Sequence, residues 1–173
     1  MDVKIEEALA ESKSLAIQNF DTLPIGRNTQ AGNPVFYAQR ESPYDKTGSI
    51  IPYDFVLMNI GNGLNPDTGV FTAPVKGIYF FYFSALKKSG EKHMTIQFLQ
   101  NDQIVTSKVV SAGDRARAAF SGSNLEVQMT LELEIGDTVA MYMYSGAIAD
   151  GKLTDNELVG RSTTFSGFLL QPQ

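Results

Sequence analysis

The side chains that most often catalyse reactions are scarce in this sequence. His93 is the only histidine, and the chain contains no cysteine. A Ser-His-Asp triad needs a histidine beside a nucleophile held at a strained turn, but no Gly-x-Ser-x-Gly element occurs. A single histidine without cysteine also leaves no ligand set for zinc. The sequence therefore predicts no catalytic residue, and we expect His93 at the exposed start or edge of a strand.

A group of oxygen ligands occurs instead near the carboxyl-terminal end. Residues 150–157 supply three carboxylates and an amide, and Asp150 and Asp155 are the candidate metal ligands. Calcium binds about six to eight oxygens, mostly from carboxylates and carbonyls. Because the segment lacks the Asp-x-Asp-x-Asp-Gly order of a dedicated calcium loop, a solvated turn is the alternative. Calcium is therefore the only candidate cofactor.

Two other groups of side chains could bind a ligand. Arg115 and Arg117 gather positive charge on a chain whose net charge is -5. Guanidinium groups suit the carboxylates or phosphates of an anionic sugar or an acidic protein surface. Tyr142 and Tyr144 alternate with methionines, and an exposed tyrosine can stack on a sugar ring or contact a protein. The alternatives are ordinary surface arginines, and tyrosines that belong to a subunit interface.

Composition excludes several functional classes. The 19 acidic and 14 basic residues argue against a nucleic-acid binder that depends on phosphate attraction. No apolar run approaches the length of a membrane span, which is about 20 residues. The amino end lacks a basic region followed by an apolar segment, so no signal peptide is expected. The sequence leaves open whether the protein stays in the cell or begins after processing.

The chain divides into a short leader and one domain. Residues 2–20 predict a helix with a thin apolar stripe, and residues 21–32 read as a linker. We therefore expect a helix and linker over residues 1–32 and a globular domain over residues 33–173. Three interpretations of the helix remain open, namely a frayed leader, a helix docked on the domain and a short self-associating stem.

The domain itself has the pattern of an all-β protein. Strands are predicted at residues 35–39, 50–58, 69–83, 94–99, 104–110, 125–133, 139–144 and 163–170. The clearest alternation of apolar and polar residues lies in residues 125–133. Many short strands at regular spacing indicate a sandwich or a jelly roll.

The stretch around Gly77 predicts a strand that is apolar on both faces. Six apolar or aromatic residues follow that glycine without a polar one. Since side chains alternate along a strand, Tyr79, Phe81 and Phe83 share one face, and Ile78, Phe80 and Tyr82 share the other. The core of the domain can cover the first face. We expect Phe80 and Tyr82 to contact another copy of the chain; the alternative is a strand buried on both faces within one sandwich.

The spacing of residues in this region resembles the signature of the globular C1q domain, within the larger tumour-necrosis-factor-like superfamily. The matching positions are Asn59, Leu64, Phe71, Gly77, Tyr79, Phe81 and Phe83, and Tyr53 stands where the signature has phenylalanine. Gly136-Asp137-x-Val139 and residues 165–170 are similar to two further stretches of the family. The chain departs from the family pattern in lacking a tryptophan after Asp137 and a collagen-like stem.

The resemblance implies a ten-stranded jelly-roll sandwich that assembles as a homotrimer, here preceded by the short helix. It also implies a secreted, non-enzymatic protein that recognises glycans or microbial and cell-surface ligands, as lectins and innate-immune recognition proteins do. Some members hold calcium near the trimer apex, close to where residues 150–157 would lie. Two other functions are compatible with it, namely a cytokine-like receptor ligand and a structural trimerisation head.

Overall fold

The computed structural model describes residues 33–111, 124–149 and 161–173. These ranges contain eleven strands and no helix, so the all-β class is confirmed, whereas the expected count of ten strands is not. The strands are β1 (Val35–Gln39), β2 (Ser49–Ile50), β3 (Phe55–Ile60), β4 (Leu64–Asn65), β5 (Val70–Thr72), β6 (Gly77–Leu86), β7 (His93–Gln100), β8 (Gln103–Ser111), β9 (Asn124–Leu133), β10 (Thr138–Ser145) and β11 (Thr164–Pro172). The helix and linker predicted over residues 1–32 lie outside the described residues.

The strands form two antiparallel sheets. The first sheet has the order β3-β1-β11-β6-β9, and the second has the order β4-β5-β10-β7-β8, with β2 beside β10. Strand β6, which the sequence placed at the centre of the domain, lies between β11 and β9 in the first sheet. The two sheets face each other across one hydrophobic core.

Two of the strands predicted from the sequence are divided in the structure. The predicted strand at residues 50–58 is wrong, because β2 pairs with β10 in the second sheet and β3 pairs with β1 in the first. The stretch at residues 69–83 likewise contributes β5 to the second sheet and β6 to the first. Pro52 and Pro74 lie between the divided halves, where a residue without a backbone N–H does not interrupt a ladder.

Burial along β6 follows the predicted alternation. Tyr79, Phe81 and Phe83 are completely buried, whereas Ile78, Phe80 and Tyr82 are only half-buried. The Phe81 ring lies 5.4 Å from Phe71 and 6.2 Å from Phe165 between ring centroids, so rings from both sheets meet in the core. One chain therefore covers one face of β6 fully and leaves the other partly exposed.

The sandwich has two rims, at opposite ends of the strands. At the first rim β1 begins beside the end of β11; Leu169 N donates to Pro34 O at 3.0 Å, and Gln173 N donates to Lys76 O at 3.1 Å. Strand β6 begins there and ends at the second rim, since Gly77 pairs with Pro172 and Leu86 pairs with Asn124.

Candidate assembly face and ligand-binding surface

Phe80 and Tyr82 lie on the outward face of the first sheet, among side chains from three other strands. The strand register aligns two rows across β3, β1, β11 and β6. These rows, which we call the aromatic face, are Ile60, Val35, Phe168 and Phe80, followed by Met58, Tyr37, Ser166 and Tyr82. Residues that pair directly across strands project to the same side of a sheet, so this face is one continuous surface.

Much of the aromatic face is open to solvent in the single chain. Phe168 is 41% exposed, Ile60 is 48% exposed and Met58 is 41% exposed. The rings of Phe80 and Phe168 lie 5.5 Å apart, so the exposed apolar groups touch each other rather than stand alone. A contiguous apolar patch of this kind marks an interaction surface, whereas isolated exposed apolar residues do not.

Sequence reasoning found two members of this face and missed the others. Phe80 and Tyr82 were found because β6 lacks polar residues on either side. Phe168 and Met58 lie on other strands, and only the pairing of β11 and β3 with their neighbours brings them to the face that carries Phe80 and Tyr82. The apolar run at the start of β3 does not by itself indicate which strands it joins.

Tyr142 lies on the outward face of the second sheet. Three rows cross this face through β10, β7 and β8: the first is Val70, Ala140, Leu99 and Ile104; the second is Ile50, Tyr142, Gln97 and Ser107; the third is Ser145, Thr95 and Val109. Tyr142 is half-buried there, and it pairs with Gln97 of the adjacent strand β7. Phe80 and Tyr142 therefore belong to different sheets.

Tyr144 occupies an irregularity in β10. The pairing of β10 with β7 shifts between Met143 and Ser145, so Tyr144 has no partner in the ladder. A bulge of this kind redirects the side chain of the extra residue. Tyr144 is 60% exposed, beside the third row. Tyr142 and Tyr144 thus lie on one surface, and their role in ligand binding stays a prediction.

The remaining predicted binding residues lie outside the described ranges. Arg115 and Arg117 belong to residues 112–123, and Asp150 and Asp155 belong to residues 150–160. The described residues that flank both segments all lie at the second rim. Among the described residues no group of three or more His, Asp or Glu side chains could hold a metal ion. His93 is the first residue of β7 and is exposed.

Asn59 and Leu64 of the signature form a reciprocal hydrogen-bonded clamp. Asn59 Nδ2 donates to Leu64 O at 2.8 Å, and Leu64 N donates to Asn59 Oδ1 at 3.2 Å. A side-chain amide thereby imitates the backbone pairing of a strand across the turn between β3 and β4. The clamp holds Leu64 in the core, where it is 2% exposed.

Gly77 and Tyr79 fix the start of β6. A Cβ at Gly77 would lie 2.3 Å from Gln171 O, so no larger residue fits beside β11. The Tyr79 hydroxyl donates to Val75 O at 2.7 Å, which satisfies the buried hydroxyl. Burial raises the pKa of Tyr79 above its ordinary value.

Tyr53, the departure from the signature, carries a hydroxyl that the core does not satisfy. Its ring stacks on Phe165 at 5.5 Å, so the aromatic body fills the expected place. The hydroxyl is buried and has no hydrogen-bond partner among the described residues. Burial raises the pKa of Tyr53 well above its ordinary value, because the charged phenolate would be desolvated.

Asp137 of the Gly136-Asp137-x-Val139 stretch ties two turns together at the first rim. Its Oδ1 accepts a hydrogen bond from Asn101 Nδ2 at 2.9 Å, and its Oδ2 accepts one from Glu134 N at 2.8 Å. Asn101 Oδ1 in turn accepts from Thr138 N at 2.8 Å. The carboxylate therefore joins the turn after β9 to the turn after β7, which is a structural role.

Two buried cations at the second rim were missed by sequence reasoning. Arg40 is 6% exposed and donates to the backbone carbonyls of Ser42 and Pro52. Lys87 is 2% exposed and its Nζ donates to Glu91 O at 2.6 Å. Because carbonyl oxygens satisfy both cations, they stabilise the adjoining loops and are not free for a ligand.

Comparison with known proteins agrees with this arrangement. The C1q domain model matches residues 35–170. The globular domain of zebrafish complement 1qA protein is similar to this chain, with 17% identity, a TM-score of 0.61, and coverage of 81% of this chain and 99% of that one.

Murine APRIL also has a similar structure. The crystal structure at pH 8.5 has 12% sequence identity to this chain and a TM-score of 0.55, and the crystal structure at pH 5.0 has 14% identity and a TM-score of 0.56. Each match covers 80% of this chain and 99% of murine APRIL. At these identities the solved structures show the shared fold, a C1q/TNF-like jelly roll. The described residues contain no helix long and apolar enough to cross a membrane. Since the domain model spans nearly all of the sandwich, this chain belongs to the C1q domain family.

Proposed function

We propose that this chain is a non-enzymatic recognition module that assembles as a homotrimer outside the cell and binds glycans or other ligands on microbial or cell surfaces. The observation that carries the proposal is the aromatic face, which the single chain leaves partly exposed. Membership of the C1q domain family supports both the assembly and the absence of catalysis.

Burial of the aromatic face would stabilise an assembly substantially. An aromatic side chain hides roughly 150–250 Å² when it is fully buried. At about 25 cal/mol per Å², full burial contributes several kcal/mol per ring as an upper limit. Phe80 and Tyr82 are half-buried and Phe168 is 41% exposed in the single chain, so a second copy that covers them gains the part of that area still open to solvent.

A threefold ring needs a second surface that differs from the first. In a closed cyclic trimer each protomer presents one patch to one neighbour and another patch to the other neighbour. Strand β8 supplies that second surface, because it ends its sheet and pairs only with β7 among the described strands. It exposes Ile104 at 59%, Val105 at 40% and Val109 at 62%. We propose that the β8 edge of one protomer packs against the aromatic face of the next.

The second rim and the part of the second sheet's outward face that lies on β10 and β7 are then free for a ligand, since Ile104 and Val109 of β8 belong to the proposed contact. Loops at one end of a rigid sandwich are natural binding sites, and residues 112–123 and 150–160 join the described strands at this rim. The C1q/TNF-like fold also supports a cytokine-like receptor ligand, which would contact one protein partner through the same surfaces. Recognition of surface glycans is the function we favour, because Tyr142 and Tyr144 share an outward surface.

The assembly is tested by light scattering at micromolar concentration. We expect three times the chain mass of 18.9 kDa. A chain that remains monomeric and does not aggregate at any concentration tested would overturn the trimer.

The ligand class is tested by a screen of glycans and microbial surfaces, with calcium and with a chelator. Glycan binding that survives chelation supports recognition without a metal. A membrane pull-down that recovers one tight protein receptor, with no glycan binding in the screen, would replace the favoured function with the cytokine-like one.

A further inference from the structure

The outward face of the second sheet lacks charge. Asp, Glu, Lys and Arg make up 19% of the whole chain. None of them occurs in the three rows that cross this face through β10, β7 and β8. On the first sheet, by contrast, the outward positions of β9 include Glu126 and Glu132, which pair with Ser84 and Ile78. These three rows are therefore uncharged although solvent reaches them, and the next outward residue of β7 is the exposed His93.

Four polar side chains near the second rim have no hydrogen-bond partner among the described residues. Thr95, Gln97, Tyr142 and Tyr144, which we call the neutral patch, make no side-chain hydrogen bond to any described residue. The amide of Asn59, by contrast, is bonded internally to Leu64. A half-buried amide in the middle of a central strand ordinarily bonds to the protein or to water. In the patch these groups are available for a ligand.

The composition of the neutral patch matches that of surfaces that recognise polar ligands. Tyrosine offers a rigid ring with a polar tip, and short polar side chains add adaptable hydrogen bonds. The amide of Gln97 provides two donors and an acceptor beside the Tyr142 ring. A sugar ring presents a C–H face to an aromatic ring and hydroxyls to such groups. No Lys or Arg lies in the three rows, so these rows offer no fixed positive charge to a carboxylate or a sulfate.

We propose that the neutral patch binds uncharged carbohydrate, and that Tyr144 and Gln97 supply the stacking surface and the central hydrogen bonds. This inference rests on the proposed recognition function and names its ligand class. It separates the patch from the arginines at 115 and 117, which would suit an anionic ligand.

The test uses the full chain and immobilised mannan, dextran, galactan and chitin, with heparin as an anionic comparison. Binding is measured at about 50 and about 500 mM NaCl, a range that screens charge interactions strongly. We expect at least one neutral polysaccharide to bind with a dissociation constant that changes less than about twofold over that range. Tyr144→Ala is expected to weaken binding about tenfold and Gln97→Ala about fivefold.

Ile135→Ala is the matched control, because Ile135 is 72% exposed on a turn at the first rim, away from the patch. It should leave binding unchanged. Failure of all four neutral polysaccharides, binding to heparin alone, or binding that ignores both patch substitutions would overturn the inference. A monomer that still binds through the patch would overturn the trimer alone, and a trimer that binds independently of Tyr144 and Gln97 would overturn the patch alone.

Discussion

The two outward faces of the sandwich differ in whether their exposed side chains contact each other. On the aromatic face the exposed groups are in mutual contact, as in the pair formed by Phe80 and Phe168 at 5.5 Å. On the second face Tyr142 and Tyr144 have no ring partner among the described residues. The adjacent polar side chains make no hydrogen bond to the described residues either. Both faces arise from the same alternation along antiparallel strands.

This difference indicates two kinds of binding. Rings that already touch offer a continuous apolar surface, which gains most from a permanent partner of similar character. Uncharged polar groups with separate rings gain most from a ligand that brings its own hydroxyls, and such contacts exchange more readily. We therefore assign assembly to the first sheet and recognition to the second, and each of the following measurements tests that assignment.

The largest effect should come from the core that both faces share. Phe81 is completely buried between the sheets, and replacing such a phenylalanine with alanine costs about 3–5 kcal/mol. We expect Phe81→Ala to lower the free energy of unfolding in urea by that amount. Ile135→Ala should change it by less than about 0.5 kcal/mol. A comparable loss in both variants would contradict the assignment of β6 to the centre of the core.

A charge placed on each outward face should separate the two. Phe80→Glu puts a carboxylate on the aromatic face, where an unpaired buried charge costs about 3–5 kcal/mol, so the trimer should dissociate at least about 100-fold more readily. Gln97→Glu makes the matched change on the neutral patch and should leave the assembled mass unchanged. Light scattering over a dilution series measures both. Dissociation by Gln97→Glu but not by Phe80→Glu would reverse the assignment.

Removal of aromatic hydroxyls should distinguish the core from the second face. Tyr53→Phe removes a buried hydroxyl that has no partner among the described residues, and should raise the free energy of unfolding by about 1–3 kcal/mol. Tyr144→Phe removes an exposed hydroxyl and should change it by less than about 0.5 kcal/mol. Thermal melts of both variants measure the difference. A destabilised Tyr53→Phe would mean that the hydroxyl is satisfied in solution.

Alkaline pH should lower the free energy of unfolding through the buried tyrosines Tyr53 and Tyr79. Burial raises the pKa values of Tyr53 and Tyr79 above 10, whereas the unfolded chain releases these protons near pH 10. The stabilising difference is fully present below pH 10 and is lost as the pH rises toward the folded pKa values, because the unfolded state then binds fewer protons. Urea unfolding between about pH 9 and pH 11 should show this fall. It should be shallower in Tyr53→Phe, and an equal slope would exclude Tyr53 as a cause.

Calcium should have the smallest effect, and its candidate ligands lie outside the described residues. If Asp150 and Asp155 bind calcium, a concentration about ten times the dissociation constant should stabilise the domain by about 1.4 kcal/mol. Melting curves with calcium and with a chelator measure this shift. Asp150→Asn with Asp155→Asn should abolish it. A shift that persists in that variant would place the ion elsewhere, and identical curves for the unaltered chain would remove calcium.

Features that depend on local pattern were predictable from the sequence. The strand at Val35–Gln39 was predicted at its observed bounds, and the alternation along β6 was predicted correctly, because side-chain period and strand propensity are local properties. The resemblance to the C1q domain signature gave the family, since clamps such as the one formed by Asn59 and Leu64 impose fixed spacings.

Features that depend on strand pairing were not predictable. Tyr142 pairs with Gln97 of β7, and Phe80 pairs with Phe168 of β11. Neither pairing can be predicted from the sequence of one strand alone. The shift that exposes Tyr144 is equally a property of two strands together. Burial of Arg40 and Lys87 depends on loop carbonyls, whose positions a single-residue propensity does not describe.

Pro34 and Gln173 lie at the same rim of the sandwich, which determines how the domain can be joined to other segments. Any chain before Pro34 and any chain after Gln173 leave from the same rim, whereas the turn that contains Gly90 lies at the opposite one, with open space around that glycine. A circular permutant that joins the two ends through a short linker and opens the chain at Gly90 is therefore expected to fold. In the unpermuted protein, the points at which the chain enters the sandwich at Pro34 and leaves it at Gln173 therefore stay clear of the turn around Gly90.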